Sequence, residues 1–181
     1  MNILRGFKAI AAFILVAALF ASCSEDQTSL SISDIPGTAK VIGKLTYSEG
    51  ESYNTITSQL VTNIIPARGK KVFVQVSNSS LDPNGQADGY AVYETTTDDK
   101  GEFEVEIPAV IDGVSVSVRA ESFTGQYSEL QRSSTSISGW FEVKKDVVYS
   151  YYSSGNYVMP NGILVADGQY TYVVRSTNNN Y

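Results

Sequence analysis

Apolar and polar side chains alternate at every second position over much of residues 90–121. Phe103, Val105 and Ile107 occupy one set of alternate positions, and three glutamates occupy the other. Successive side chains of a β-strand point to opposite faces of the sheet. A period of two therefore predicts a strand with one buried face and one exposed face. The valines at positions 114, 116 and 118 repeat the pattern against serines.

The same alternation predicts further strands over residues 39–47, 70–78, 140–152 and 169–175. Turn signals separate them, such as DDKG at 98–101 and DG at 112–113. We find no stretch with a helical period and capping residues. Short strands at regular spacing with turns between them predict an all-β fold, an antiparallel β-sandwich.

Three parts of the pattern are less regular. Residues 51–68 form a long connection, which we interpret as a short edge strand, an Ω-loop or a binding loop. Residues 122–138 are rich in Ser and Thr, and Tyr127 and Leu130 are our first candidates there for insertion into the core. Residues 144–146 are expected to form a turn or a bulge. Phe73 points outward from its predicted strand, either exposed or covered by the long connection.

The central stretch carries a family resemblance. Residues 95–105 (TTTDDKGEFEV), followed by IP at 107–108 and GVSVSV at 113–118, resemble the hairpin of the transthyretin-like, carboxypeptidase-regulatory-like domains. PARGKKVFV at 66–74 is similar to the start of a strand in that family. The resemblance implies a transthyretin-like sandwich at residues 38–121, with additional strands of the same domain over 122–181. In that family the module is mostly a non-catalytic appendage or binding platform.

The amino terminus has the features of an export signal. Arg5 and Lys8 precede an apolar run over residues 9–20, which is too short to span a bilayer as a stable helix. We predict a signal peptide over residues 1–22. Its end, LFASC, resembles the lipobox of bacterial lipoproteins, which implies acylation of Cys23 as the new amino terminus. The alternative is an incidental thiol, and with a single Cys no intramolecular disulfide can form.

Residues 23–37 are polar and predict a flexible tether between the anchor and the domain. Ser24, Glu25 and Asp26 look like the export signal that sends lipoproteins of the Bacteroidota to the cell surface. The resemblance implies an outer membrane lipoprotein exposed at the surface. A solvated linker is the alternative interpretation.

Charge narrows the range of partners. Removal of Arg5 and Lys8 with the leader lowers 13 basic residues to 11 against 19 acidic ones, a net charge of −8. Nucleic acids and anionic headgroups are therefore poor partners, and the membrane is reached through lipid. A protein or glycan at the cell surface remains as the expected partner.

The chain contains no His. It therefore cannot supply a Ser-His-Asp triad, a Cys-His pair or a His-containing zinc site, and we predict no cofactor and no metal. Two enzymatic relatives of similar fold, the 5-hydroxyisourate hydrolases and the intradiol dioxygenases, depend on His and are disfavoured. Glu102, Glu104 and Glu106 lie about 7 Å apart along one strand face, a spacing that a glycosidase pair could use. We favour a solvated face, because a row of exposed carboxylates does not flank a cleft.

The segment DPNGQAD at 82–88 faintly resembles the start of a calcium loop, but it lacks the later bidentate Glu. An ordinary turn is favoured there, as at Asp98 and Asp99. The 12 Tyr residues offer aromatic faces that stack on sugars, although Tyr is also a common strand residue. Trp140, Tyr157 and Tyr170 are our candidates for a ligand surface.

Together these observations predict a non-catalytic, lipid-anchored envelope protein that acts as a binding, adhesion or scaffold module. An accessory glycan-binding surface lipoprotein of a carbohydrate-uptake system is the alternative. A hydrolase that uses carboxylates alone is the third hypothesis.

Overall fold

The structure, a computed structural model, describes residues 37–134 and 139–175. This part of the chain is all-β, with ten strands and one short helical turn. The strands are β1 (Gly37–Asn54), β2 (Gln59–Pro66), β3 (Lys71–Ser77), β4 (Tyr90–Thr96), β5 (Glu102–Ala109), β6 (Val114–Arg132), β7 (Trp140–Val158), β8 (Ile163–Val165), β9 (Gly168–Gln169) and β10 (Thr171–Val174), and the turn is α1 (Asn78–Leu81). The alternating pattern thus correctly indicated the all-β class.

The long strand β1 is shared between two groups of strands. Its first half pairs antiparallel with β5, from Gly37 opposite Ala109 to Lys44 opposite Glu102, and parallel with β8. Its second half pairs antiparallel with β2 and parallel with β9, and touches β6 at one bridge. The change of partners near Leu45 lets one strand join both groups.

The second group continues beyond β1. β3 lies between β4 and β6, β6 pairs with β7, and β7 pairs with β10, all antiparallel. The pairings of β1 with β6, β8 and β9 are parallel, so the sheet is mixed and departs from the purely antiparallel expectation. The contacts of β1 with β8 and β9 are parallel because the chain after β7 runs along β1 in the same direction.

One hydrophobic core joins the two groups. The inward valines of β3 and β6, among them Val74 and Val118, are fully buried, as are Val41 and Leu45 of β1. Ile107 of β5 belongs to the same cluster. Full burial of an aliphatic side chain contributes roughly 1.5–3 kcal/mol, so this cluster is the main source of stability in the region that the sequence predicted most clearly.

An aromatic cluster lies beside the aliphatic core, between β1, β6, β7 and the last strands. The rings of Phe123 and Tyr149 stack at 4.9 Å, and Tyr47 meets both edge-on at 5.1 Å. Tyr170 contacts Phe123 at 5.2 Å. The buried Tyr149 hydroxyl donates a hydrogen bond to the Ser48 carbonyl at 2.6 Å. Many of the tyrosines therefore pack inside the protein.

One expectation for the later part of the chain was wrong, and another part is more regular than its composition indicated. Residues 122–132 of the Ser- and Thr-rich stretch continue β6, which pairs with β7 as far as Arg132 opposite Trp140. Residues 144–146 pair regularly within β7, and the irregularities lie opposite β6 positions 116–118 and 120–123. Tyr127 is buried as expected, and Leu130 is half-buried. Strand pairing with a long neighbour outweighs the weak strand preference of serine.

Residues 51–68 are mostly strand. β1 extends to Asn54, and β2 follows after a turn in which the Asn54 side chain accepts hydrogen bonds from the N–H groups of Ile56 (3.0 Å) and Thr57 (3.2 Å). The edge-strand interpretation is therefore the structural answer for this segment. Phe73 is half-buried, and the Arg119 guanidinium lies over its ring at 4.9 Å.

Candidate functional site

The outward side of β3, β4, β6 and β7 forms one continuous surface. We define the outer sheet face by its outward residues, which alternate with the buried valines. They are Phe73, Gln75, Tyr90, Val92, Glu94, Ser115, Ser117, Arg119, Tyr152 and Tyr157. Neighbouring strands lie about 4.8 Å apart, so the face is roughly 14 Å wide from β4 to β7.

One row of the outer sheet face crosses all four strands. Glu94 lies opposite Phe73, Phe73 opposite Arg119, and Arg119 opposite Tyr152. Tyr152 is 64% exposed, so its ring is available to a ligand. The row therefore has the Tyr152 ring at one end and the Glu94 carboxylate at the other. Between them the Arg119 guanidinium lies over the Phe73 ring.

The adjoining positions are polar and uncharged. Ser117 lies opposite Gln75, and the Ser117 hydroxyl donates a hydrogen bond to Oε1 of Gln75 at 3.3 Å. Ser115 lies opposite Tyr157. Hydroxyl and amide groups between exposed rings can both donate and accept hydrogen bonds. The outer sheet face thus combines stacking surfaces with a polar centre.

The position of Tyr157 depends on a glycine. A Cβ added at Gly113 would lie 2.5 Å from Cε1 of the Tyr157 ring, and Gly113 has φ of +79°. Both features favour glycine at the turn before β6. Gly113, the glycine of the predicted DG turn, therefore also leaves room for the exposed ring of Tyr157.

The three predicted ligand residues lie in different places. Tyr157 is 57% exposed on the outer sheet face. Trp140 lies at the other end of β7, up to about 56 Å away by strand length. Its ring is 5.5 Å from Tyr53 and 5.3 Å from the Arg132 guanidinium. Tyr170 is buried, and its hydroxyl donates to the Glu121 carbonyl at 3.2 Å.

The prediction of a single aromatic surface from these residues was therefore wrong for Tyr170, which lies in the core. Burial raises the pKa of Tyr170 above its ordinary range, as expected for a phenol removed from water. Tyr90 and Tyr152 were not among the predicted ligand residues. The alternation of Tyr90 with the inward Ala91 was a signal for Tyr90, whereas Tyr152 lies in a run of Ser and Tyr that gives no such signal.

The glutamate row of β5 faces lysines of β1. Lys40 lies opposite Glu106 and Lys44 opposite Glu102, and Nζ of Lys40 is 2.5 Å from Glu104. The hydrogen bond to Glu104 raises the pKa of Lys40. Glu102 and Glu104 also line an open cleft of about 720 Å³. All three glutamates are nevertheless exposed, as expected for a solvated face, and lysines of β1 compensate their charge.

The acidic turns use their carboxylates internally. Asp82 accepts hydrogen bonds from the N–H groups of Asn84, Gln86 and Ala87 at 2.9–3.0 Å, which lowers the pKa of Asp82. Asp98 accepts from the N–H groups of Lys100 and Glu102 at 2.8 Å, with the same effect on its pKa. These contacts match the turn interpretation. Within residues 37–134 and 139–175, no three His, Cys, Asp or Glu residues are grouped to hold a metal ion.

Cys23, Ser24, Glu25 and Asp26 lie outside the described residues, so their assignments remain predictions. In the described ranges, no helix is long and apolar enough to cross a membrane. Comparison with protein-family models, with curated proteins and with solved structures finds no match for this chain.

Proposed function

We propose that this protein is a non-catalytic binding module, held at the cell surface by a lipid anchor, and that the outer sheet face is its binding surface. The observation that carries the proposal is the set of exposed rings, at Tyr90, Tyr152 and Tyr157, around the hydrogen-bonded pair Gln75 and Ser117 and the guanidinium of Arg119. Exposed aromatic residues on a rigid sheet offer contact area at a low entropic cost. A scaffold or adhesion role uses the same surface.

For the fold we propose a transthyretin-like β-sandwich of the carboxypeptidase-regulatory-like type. The support is the resemblance around residues 95–118 and the way β1 joins two groups of strands over one core. In this proposal the β5 side and the β3–β6 side are the two layers. The strands from β7 onward are additions to that core.

The anchor in this proposal is acylated Cys23 after removal of residues 1–22. We expect Cys23→Ala to abolish labelling by a clickable fatty acid, because no other cysteine is present. Ser29→Ala in the polar tether is the matched control, since it leaves both the lipobox and the thiol unchanged. Labelling of the Cys23→Ala chain would contradict the anchor.

For surface location we propose that Ser24, Glu25 and Asp26 direct export across the outer membrane. Replacement of residues 24–27 by Ala is expected to remove the protein from protease shaving of intact cells while leaving it lipidated. Unchanged shaving would refute the export signal and leave the anchor proposal intact.

The non-catalytic assignment rests on the absence of His from the sequence and on the lysines that face the glutamate row. We expect no hydrolysis of a panel of chromogenic glycosides and esters. Hydrolysis that disappears in Glu104→Gln but persists in Glu106→Gln would overturn this assignment and favour the carboxylate-only hydrolase.

A glycan is the second, more specific candidate for the bound partner. The specific observation is the pair Tyr152 and Tyr157, which are exposed on the same strand face beside Ser115 and Arg119. Sugar rings stack their C–H faces on aromatic rings, and their hydroxyls use neighbouring hydrogen-bonding groups. This arrangement suits a neutral oligosaccharide lying along the sheet.

A glycan array tests this candidate. We expect a signal that Tyr152→Ala and Tyr157→Ala each reduce at least about tenfold, the loss for about 1.4 kcal/mol of stacking. Trp140→Ala and Tyr172→Ala are controls, because both rings lie away from the outer sheet face. No signal across plant, host and bacterial glycans, or equal losses in the controls, would contradict sugar binding there.

A further inference from the structure

The strand β2 is an unusually open sheet edge. It pairs with β1 on one side, and in the described part of the chain no strand pairs with its other side. Leu60, Val61 and Ile64 are 41%, 44% and 55% exposed, although successive residues point to opposite faces. Both faces and one edge of this strand are therefore accessible.

This edge also lacks charge. Residues 52–67 contain no Asp, Glu, Lys or Arg, in a chain with 32 charged residues. Proteins normally protect exposed edges with charges, prolines or short length. The edge strand β4 has Glu94 paired with Lys71 at 2.7 Å, and β8 and β10 are only three and four residues long. β2 has eight residues and only Pro66 at its end.

We propose that β2 docks against β2 of a second copy of this chain, so that an antiparallel pair of edge strands continues the sheet from one protomer into the next. Two copies related by a two-fold axis present the same surface to each other, so the strand must be complementary to itself. Self-pairing is possible only where no like charges are placed opposite one another.

The sequence of β2 meets this requirement. Directly opposite residues share a face, and a pairing centred on Thr62 sets Leu60 of one copy opposite Ile64 of the other on both sides of the axis. Thr62 then lies opposite Thr62, a cross-strand pair that can hydrogen-bond. Like residues therefore meet on the face of Leu60, Thr62 and Ile64, whereas on the other face Val61 lies opposite Asn63 and Gln59 opposite Ile65, and no position brings two charges together.

The distribution of charge indicates where two copies can meet. The chain has a net charge of −6, so two copies repel each other across most surfaces. The uncharged arm from Ser52 to Ala67 is the surface where this repulsion is smallest. Ile56, 93% exposed at the tip of the β1–β2 turn, extends the apolar surface beyond the paired strands.

The length of β2 limits the expected affinity of the dimer. Eight paired residues span about 26 Å, which is small beside an interface that buries about 800 Å² on each partner. We therefore expect a dimer that depends on protein concentration rather than an obligate one.

Cysteine cross-linking of the full chain in detergent tests the pairing. In Thr62→Cys, the two substituted positions should lie about 5 Å apart, so mild oxidation should give a disulfide-linked dimer at about twice the chain mass. The unsubstituted chain, whose only cysteine is Cys23, gives the background. Val92→Cys on β4 is the matched control, because it is similarly exposed on another edge strand.

Two results would overturn the proposal. One is a dimer yield for Thr62→Cys no higher than that for Val92→Cys. The other is a cross-link from position 62 to a protein of different mass, which would assign the edge to another partner.

A charge substitution provides the second test without oxidation. Thr62→Lys places two like charges opposite each other, and we expect the dimer dissociation constant in sedimentation to rise at least about tenfold. Val92→Lys should leave it unchanged. An unchanged constant in Thr62→Lys, or a chain that stays monomeric at all concentrations before substitution, would also contradict the proposal.

Discussion

At the scale of single residues, two buried tyrosine hydroxyls differ, because one makes a hydrogen bond and the other does not. The Tyr149 hydroxyl donates to the Ser48 carbonyl at 2.6 Å. The Tyr93 hydroxyl is also buried, and the described residues provide it with no hydrogen-bond partner. A buried acceptor that loses its donor costs free energy, whereas removal of an unsatisfied group does not.

We therefore expect Tyr149→Phe to lower the free energy of unfolding by about 1–2 kcal/mol and Tyr93→Phe to leave it unchanged or raise it. Urea denaturation measures both, and Tyr152→Phe, at an exposed position, is the control. Equal destabilisation by the Tyr149 and Tyr93 substitutions would contradict the hydrogen-bond assignment.

Substitutions at two glycines can distinguish the cost of backbone strain from the cost of a steric clash. Gly101 and Gly69 both have positive φ, +79° and +62°, but a Cβ at Gly101 would lie 2.3 Å from the Leu45 carbonyl oxygen and one at Gly69 would meet no atom within 4 Å. We expect Gly69→Ala to cost about 1 kcal/mol for the backbone alone. Gly101→Ala should cost clearly more, because the turn must also move away from β1. Similar losses of unfolding free energy in the two variants would show that the close approach does not matter.

The sequence predicted which side chains face the core reliably only where apolar and polar residues alternate strictly. The valines of β3 and β6 were correctly predicted to point inward, because they recur at every second position and, in β6, serines separate them. Tyr151 and Tyr152 are adjacent within a run of Ser and Tyr, so the sequence could not indicate which ring faces the core. Only the pairing with β6 and the contact of Tyr151 with Tyr170 decide it.

At the scale of elements, the sequence predicted where strands lie better than how long they are. β6 and β7 each have 19 residues, much longer than the alternation indicated. Their ends contain Ser, Gln and Lys, whose preference for strands depends on the neighbouring strand. The extension of β1 and the pairing of β2 escaped prediction for the same reason, since each strand provides the partner of the other.

The elements should also differ in how readily they open. β3 lies between two strands and has three fully buried valines, whereas β2 is exposed along most of its length. In dilute protein we expect amide hydrogen exchange over residues 60–64 to be at least about a hundredfold faster than over residues 72–76, because local opening of β2 exposes little apolar surface. Equal protection of the two strands would contradict the edge position of β2 in the free chain.

At the scale of the whole molecule, the pairings of β1 with β8 and β9 could not be predicted. They join residues more than 120 positions apart, and local patterns contain no information about such contacts. The outer sheet face was missed for a related reason. Its residues lie on four strands, and only the register brings Phe73, Arg119 and Tyr152 into one row.

The aromatic cluster predicts how stability depends on pH. Burial, with a smaller effect of the hydrogen bond to Tyr172, raises the pKa of Tyr127 from 10.0 to about 12, and burial also raises the pKa of Tyr149 and Tyr170. A raised pKa means that folding favours the neutral phenol. This stability is complete below pH 10, the ordinary value, and is lost as the pH rises towards 12.

Urea denaturation at a series of alkaline pH values tests this dependence. The unfolding free energy should fall between about pH 10 and 12, and less steeply in Tyr127→Phe than in the unsubstituted chain. A constant unfolding free energy over that range would contradict the buried, neutral state of these phenols.

The central claim is that the outer sheet face contacts the partner of this protein, and tyrosine nitration on intact cells tests it without knowledge of that partner. Tyr152 and Tyr157 should react less on cells than in the purified protein, by a larger factor than Tyr172, which lies off that face and serves as the internal reference. If all three tyrosines keep the same relative reactivity on cells and in purified protein, the outer sheet face is not the binding surface.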